Sequence, residues 1–177
     1  MAIMACALTA CKKDQQTPLS QTAPETKMES AELLQLQALP SLVNWMSGLP
    51  DATSVSRLSI PGTHDSGALF EPISGTAKCQ NIGIAAQLNM GVRFLDIRCR
   101  HIDNAFAIHH GAIYQNLNFQ DVINACITFL NANPTETILM SVKEEHTPAN
   151  NNRTFEQTFN TCYQRNAFFL YRNALLF

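Results

Sequence analysis

Hydrophobic and polar residues along this chain fall into two rhythms that mark out its elements. Ser41 to Leu49 (SLVNWMSGL) places Leu42, Val43, Trp45, Met46 and Leu49 at roughly helical spacing and stops at Gly48 and Pro50, which predicts a short packing helix. Val55 to Ile60 alternates and terminates in Pro61-Gly62, the pattern of a strand that delivers Thr63, His64 and Asp65 into a loop. Residues 84–90 read as a brief helix stopped by Gly91. Val92 to Ile97 follows as a second strand, with Arg93, Asp96 and then Arg98 interleaved among apolar positions, and a third, Ala105 to Ile108, runs into His109-His110-Gly111.

The clearest helix is Phe119 to Leu130. Phe119, Val122, Ile123, Cys126, Phe129 and Leu130 share one face, and Asn118 with Asp121 is placed as an N-cap and its reciprocal partner. Asn133-Pro134 closes it. Thr137 to Val142 (TILMSV) is nearly continuous in apolar residues, as expected of a strand covered on both faces, and ends in Lys143, Glu144, Glu145 and His146. Another helix is predicted from near Arg153 to Tyr163. Alternating strands and helices, with polar residues gathered after the strands, indicate an α/β architecture.

Composition narrows the function classes. With 177 residues, 46% hydrophobic and 15% charged, the chain suffices for one well-buried domain. Its formal charge of −2 and the absence of any Lys/Arg run argue against a nucleic-acid partner. The opening MAIMACALTAC is too short to span a bilayer, and Leu8-Thr9-Ala10-Cys11 resembles a bacterial lipobox, after which the Cys becomes the lipid-bearing first residue. Residues 12–38 then turn polar and Gln/Thr/Pro-rich, as a tether would. The expected organisation is a lipoprotein-type signal peptide at 1–11, a tether at 12–38 and a catalytic-type domain at 39–177, in a protein exported and anchored at Cys11 or secreted. Cys79, Cys99, Cys126 and Cys162, spaced by 20, 27 and 36, match no zinc pattern, and no disulfide is assignable among them.

Candidate chemistry sits around the strand ends. His64 can move protons at neutral pH, and the neighbouring Asp65 can orient an imidazole or stabilise its charged form. Asp96 and Arg98 share a strand face. By themselves they read as an ion pair, and beside histidines the guanidinium reads as a grip on phosphate. Adjacent histidines on an extended chain point to opposite sides, so one of His109 and His110 faces the pocket. A metal site built from His64, His109, His110, Asp65 and Asp96 competes with this reading, but the permanent charge of Arg98 opposes it. Arg93 and Arg100 read as structural.

The strings LSIPGTHDSGA, GVRFLDIRCR and IHHGAIYQNLNFQDVINACITFLNANPTETILMSVKEE, with the lead-in NWMSGLPD, resemble the catalytic X region of bacterial phosphatidylinositol-specific phospholipases C from about Asn44 to Glu145. The resemblance implies a TIM-barrel-like (β/α) fold with the site at the C-terminal ends of the strands. It implies that His64 is the general base on the inositol 2-hydroxyl and His110 the general acid on the leaving oxygen, giving diacylglycerol and inositol 1,2-cyclic phosphate. Arg98 then holds the phosphate in place of a metal, Asp65 supports the catalytic centre, and Lys143 contacts the inositol headgroup. Asp96 and His109 take supporting or structural roles. The implied substrate is phosphatidylinositol or a glycosylated form at a membrane surface, with no metal or other cofactor.

The family's barrel has eight strands, whereas about four β/α units are countable here, so only about the first half of the barrel is expected. A carboxylate partner for the base is expected in the half not counted. The apolar FFLYRNALLF suggests a truncated product, and residues 12–177 alone are expected to be poorly soluble or inactive. Two alternatives remain open at this point: a non-catalytic inositol-phospholipid binding module, and a metal-dependent glycerophosphodiesterase on the same fold.

Overall fold

The computed structural model describes residues 41–162 and the backbone of 174–176, all within the compact unit Gln37–Phe177. The proposed signal peptide with Cys11, the tether at 12–38, Tyr163 and the side chains of the closing apolar segment lie outside the described residues.

The first two predicted elements take a different form. Leu42–Gly48 is a 3-10 helix broken at Asn44, where φ −135° and ψ 38° leave the helical region. The strand expected over Val55 to Ile60 does not form. Instead Val55–Arg57 makes a 3-10 turn, closed by the Arg57 N–H on Ser54 O at 2.9 Å and the Leu58 N–H on Val55 O at 3.1 Å. Those local bonds use backbone groups that a ladder would need, and Pro61 has no N–H to contribute. Its carbonyl instead accepts from the N–H groups of Arg93 (2.8 Å) and Phe94 (3.1 Å). Pairing starts just beyond it, in the two-residue strand β1, Gly62–Thr63.

Helix α1, Ile84–Asn89, ends at Gly91, whose φ of +95° favours glycine and where a Cβ would come 3.3 Å from Leu42 O. Strand β2, Phe94–Ile102, is longer than predicted and alternates without a break. Leu95, Ile97, Cys99 and His101 are buried, while Asp96, Arg98 and Arg100 occupy the opposite face. Arg98 therefore sits within a strand rather than at its end.

An expected run of parallel strands is interrupted here. Asp103 and Asn104 both adopt positive φ (52° and 55°), the backbone of a tight hairpin turn. They send β3, Ala105–His110, back antiparallel to β2. A strand that the apolar pattern did not mark, β4 at Ile113–Asn118, then pairs antiparallel with β3. Helix α2, Phe119–Ala132, follows directly, with the Asn118 N–H donating to Asp121 Oδ2 at 2.9 Å as the capping pattern predicts.

Strand β5, Ile138–Glu144, lies parallel to β2 in a register that sets Arg98 beside Lys143. Strand β6, Ala174–Leu176, pairs parallel with β5. The sheet order is β4-β3-β2-β5-β6, with β1 also on β2. Helix α3 covers residues 155–162. The apolar face of α2, with Cys126 among its buried residues, packs on Leu95, Ile97, Ile108 and Met140. Each such side chain is worth roughly 1.5–3 kcal/mol on burial.

Arg93 is structural, as its sequence context predicted. It is fully buried, and all five of its donors are used: Nε and Nη2 reach Glu136 Oε2 at 2.9 and 2.7 Å, Nη1 reaches the carbonyls of Leu88 and Val92 at 2.8 Å each, and Nη2 reaches Val43 O at 2.6 Å. This fastens the start of β2 to the leading 3-10 helix and to the entry of β5. The strand that carries Asp96 and Arg98 is held rigid at its root.

Candidate active site

The centre begins where β1 ends. Asp65 has φ +43°, a left-handed conformation that Asp tolerates better than most residues, and this turn separates its direction from that of its neighbour. Asp65 is fully buried, whereas the His64 side chain is 65% exposed. The turn is tied to β2 on both sides: Asp65 N–H donates to Asp96 Oδ2 at 3.0 Å, Ser66 N–H to Asp96 O at 2.8 Å, and Asp96 N–H to Ser66 Oγ at 2.9 Å.

Two imidazole–carboxylate pairs result. His64 Nδ1 lies 3.2 Å from Asp96 Oδ2, and His110 Nδ1 lies 2.6 Å from Asp65 Oδ2. The sequence context suggested that Asp65 orients its neighbour His64. The left-handed turn sends its carboxylate to His110 instead, and Asp96 takes the place beside His64. When Nδ1 donates to a carboxylate, Nε2 is the nitrogen left to accept or release a proton.

Arg98 lies between the pairs. Its Nε donates to Asp96 Oδ2 at 3.2 Å and stands 4.0 Å from Asp65 Oδ2. The Nη atoms are more loosely engaged: Nη2 is 3.4 Å from His64 Nδ1 and Nη1 is 3.8 Å from Glu145 Oε2. That edge of the fork is geometrically available to a pair of anionic oxygens. Lys143 stands at the rim, exposed, with Nζ 3.4 Å from Glu145 Oε2.

The electrostatics follow from burial and these contacts. Burial pushes the Asp65 carboxyl above the ordinary range, aided by Asp96, and outweighs the opposing hydrogen bond and charge of His110 and the charge of Arg98. For Glu145, burial is overcome by the Gly111 N–H and by Lys143 and Arg98, so its carboxyl falls below the usual value. The Cys79 thiol, 3.7 Å from His110 Nδ1, is raised by desolvation and by Asp65.

His64, Asp65, Arg98 and His110 therefore come together, with Lys143 at the edge. His109 does not join them. It is buried on the opposite face, beside the ring of Tyr114 at 5.7 Å and stacked on His146 at 6.4 Å, with burial lowering its basicity. Glu145, which reads as part of a polar loop, contacts Arg98, and Cys79 gave no signal beyond its residue type. Buried Cys99 and Cys126 are inert by comparison, burial pushing the Cys126 thiol up to about 12.

Residues 59–173 match the family model "Phosphatidylinositol-specific phospholipase C, X domain". The 1-phosphatidylinositol phosphodiesterase of Staphylococcus aureus (strain Newman) is 38% identical over 128 residues, covering 70% of this chain and 41% of the relative. That of Listeria monocytogenes is 40% identical over 117 residues, covering 63% and 35%. A solved structure of the S. aureus phosphatidylinositol-specific phospholipase C, studied for its membrane binding, aligns with a TM-score of 0.69 at 33% identity over 77% of this chain and 52% of that one. The Listeria monocytogenes structure gives 0.64 at 34%, over 73% and 47%. The chain thus spans about two fifths of the length of these curated relatives and about half of the solved chains. The mixed sheet corresponds to part of their TIM-barrel-like fold.

Proposed function

This chain belongs to the phosphatidylinositol-specific phospholipase C X-domain family, and from that premise we propose that its site cleaves phosphatidylinositol by acid–base catalysis at phosphorus. His64 takes the proton of the inositol 2-hydroxyl at Nε2, with Nδ1 held by Asp96. The freed oxygen attacks phosphorus, and the Nη edge of Arg98 stabilises charge on the non-bridging oxygens. His110, oriented by Asp65, returns a proton to the departing glycerol oxygen. Diacylglycerol leaves, and inositol 1,2-cyclic phosphate remains. Lys143 contacts the inositol headgroup from the rim.

The observation that carries this reading is the pair of imidazole–carboxylate contacts, at 3.2 and 2.6 Å, flanking one guanidinium. A binding module needs no second imidazole on the leaving side. Arg98 supplies positive charge where a metal would otherwise be needed, so the reaction is proposed to be metal-independent. In place of the carboxylate expected from the half not counted, Asp96, 3.2 Å from His64 Nδ1, is proposed as the partner of the base. The substrate would be phosphatidylinositol or its glycosylated form at a membrane surface, met by a protein exported and lipid-anchored at Cys11 or secreted. Because the chain covers 41% of a curated relative, turnover by these 177 residues alone is proposed to be weak.

The test offers the protein phosphatidylinositol and, separately, a glycerophosphodiester, each with and without a chelator. Cyclic inositol phosphate that persists with the chelator is the expected result. Lipid binding without product would favour a module, and chelator-sensitive release of glycerol phosphate would overturn the assignment.

A further inference from the structure

Beside the acid stands a group that the proposed reaction does not use. Cys79 presents a solvent-accessible thiol with Sγ 3.7 Å from His110 Nδ1. One ligand atom from each of Asp65, Cys79 and His110 lies within 4.8 Å of the others. Tetrahedral coordination at ordinary zinc–nitrogen, zinc–oxygen and zinc–sulfur lengths requires donor separations of about 3.3–3.7 Å. The 3.7 Å thiol–imidazole spacing meets this, whereas the 2.6 Å contact of His110 Nδ1 with Asp65 Oδ2 has to widen once the proton between them leaves.

A second observation also points to a ligand. Asp65 Oδ1 is buried and has no hydrogen-bond partner among the described residues. Such an orphaned oxygen is costly, and a cation held on the Asp65 carboxylate would satisfy it. The backbone is prepared as well. Ala68 N–H donates to Asp65 O at 2.9 Å, and the N–H groups of Cys79 and Gln80 both donate to Ala68 O at 2.9 Å. Cys79 is therefore fastened to the same turn that carries Asp65. Arg98 does not bar a cation, because it is already surrounded by the carboxylates of Asp96, Asp65 and Glu145.

We propose that Asp65, Cys79 and His110 form a site for a thiophilic divalent cation such as Zn2+, and that occupancy switches the acid off. One thiolate, one imidazole and one carboxylate suit zinc and do not suit magnesium or calcium. On binding, the cation displaces two protons to solvent, one from the Cys79 thiol and one from between His110 Nδ1 and Asp65 Oδ2. His110 is then a neutral ring bound through Nδ1. Giving up its Nε2 proton would leave an imidazolate, so it no longer serves as a general acid. The effect on turnover rests on His110 being that acid, whereas the binding site does not.

The experiment uses the full chain with Zn2+ in calorimetry and Co2+ in absorption spectroscopy, comparing the unmodified protein with Cys79→Ser and Asp65→Asn, each checked for folding by circular dichroism. A thiolate-to-cobalt charge-transfer band and a single zinc equivalent are expected for the unmodified chain. Cys79→Ser should abolish the band and weaken zinc by at least about tenfold, the lower end of what even a supporting residue costs a metal site. Asp65→Asn should weaken zinc while keeping the band. A band that survives in Cys79→Ser, or a folded chain that gives none, overturns the site. Formation of cyclic product that zinc stops and a chelator restores is expected, and product unaffected by saturating zinc overturns the switch. Failure of the catalytic reading shows separately, as no cyclic product even before zinc is added.

Discussion

Replacing Asp65 by Asn should cost activity while leaving the fold as stable as before or more so. Asn tolerates the left-handed backbone at this position, where φ is +43°, and preserves the shape of the side chain. What disappears is a buried negative charge with a 2.6 Å contact to His110. A hydrogen bond to a charged group contributes about 1.5–3 kcal/mol, so if that contact is fully expressed in the transition state the cleavage rate falls about 10- to 150-fold. Stability moves the other way. Burial holds the Asp65 carboxyl above its ordinary range despite His110 and Arg98, so the folded protein binds this proton more tightly than the unfolded chain does. The stability contribution is thus fully present below the unfolded value and lost as pH rises through the folded one. At neutral pH the ionised carboxylate is a net burden that Asn lacks, and the difference between the two proteins should shrink as pH drops into the acid range. Thermal unfolding at neutral and acid pH, alongside single-turnover cleavage of phosphatidylinositol, measures both effects. A variant that melts well below the parent at neutral pH, or that keeps full activity, would refute the reasoning.

Arg93→Met should destabilise by about 3–5 kcal/mol, because it strands the fully buried Glu136 carboxylate. For a chain of this size that lowers Tm by roughly 6–20 °C. Adding Glu136→Leu should recover part of the loss, and a double variant no more stable than the single one would show that the unpaired charge is not the cause. Arg98→Lys keeps the charge but loses the forked edge, so single-turnover cleavage should fall about 10²–10³-fold. A decrease of less than tenfold would mean that Arg98 does not grip the phosphate in the transition state. His109→Gln should change cleavage little, since that ring faces away from the centre, and a loss matching that of His110→Gln would contradict the assignment.

Much of the frame was legible because it rests on periodicity. The face of α2 and the alternation of β2 follow from residues that must choose between core and solvent, and the same alternation places Asp96 and Arg98 together. Other features depend on turns. Asp103-Asn104 reverses the chain and creates β4, whose IYQNLN has little apolar rhythm, so the antiparallel segment escaped a pattern built on β/α alternation. Val55 to Ile60 carried a strand rhythm that local turn bonds overrode. Within the site, residue types and spacing nominated His64, Asp65, Arg98 and one of two adjacent histidines. The pairing did not follow from them: one left-handed residue exchanges the carboxylates, giving Asp65 to His110 and Asp96 to His64. Glu145 and Cys79 reach the centre from distant segments, a proximity that no local pattern encodes.

The central proposal is that two histidines, His64 as base and His110 as acid around Arg98, turn phosphatidylinositol into a cyclic phosphodiester without a metal. The most direct measurement is phosphorus NMR of phosphatidylinositol mixed with an excess of the folded chain and a chelator, repeated with His64→Ala and His110→Ala. The unmodified protein should give the signal of inositol 1,2-cyclic phosphate, and both variants should lose it. No cyclic product from the folded chain, or product that persists without His110, would contradict the proposal.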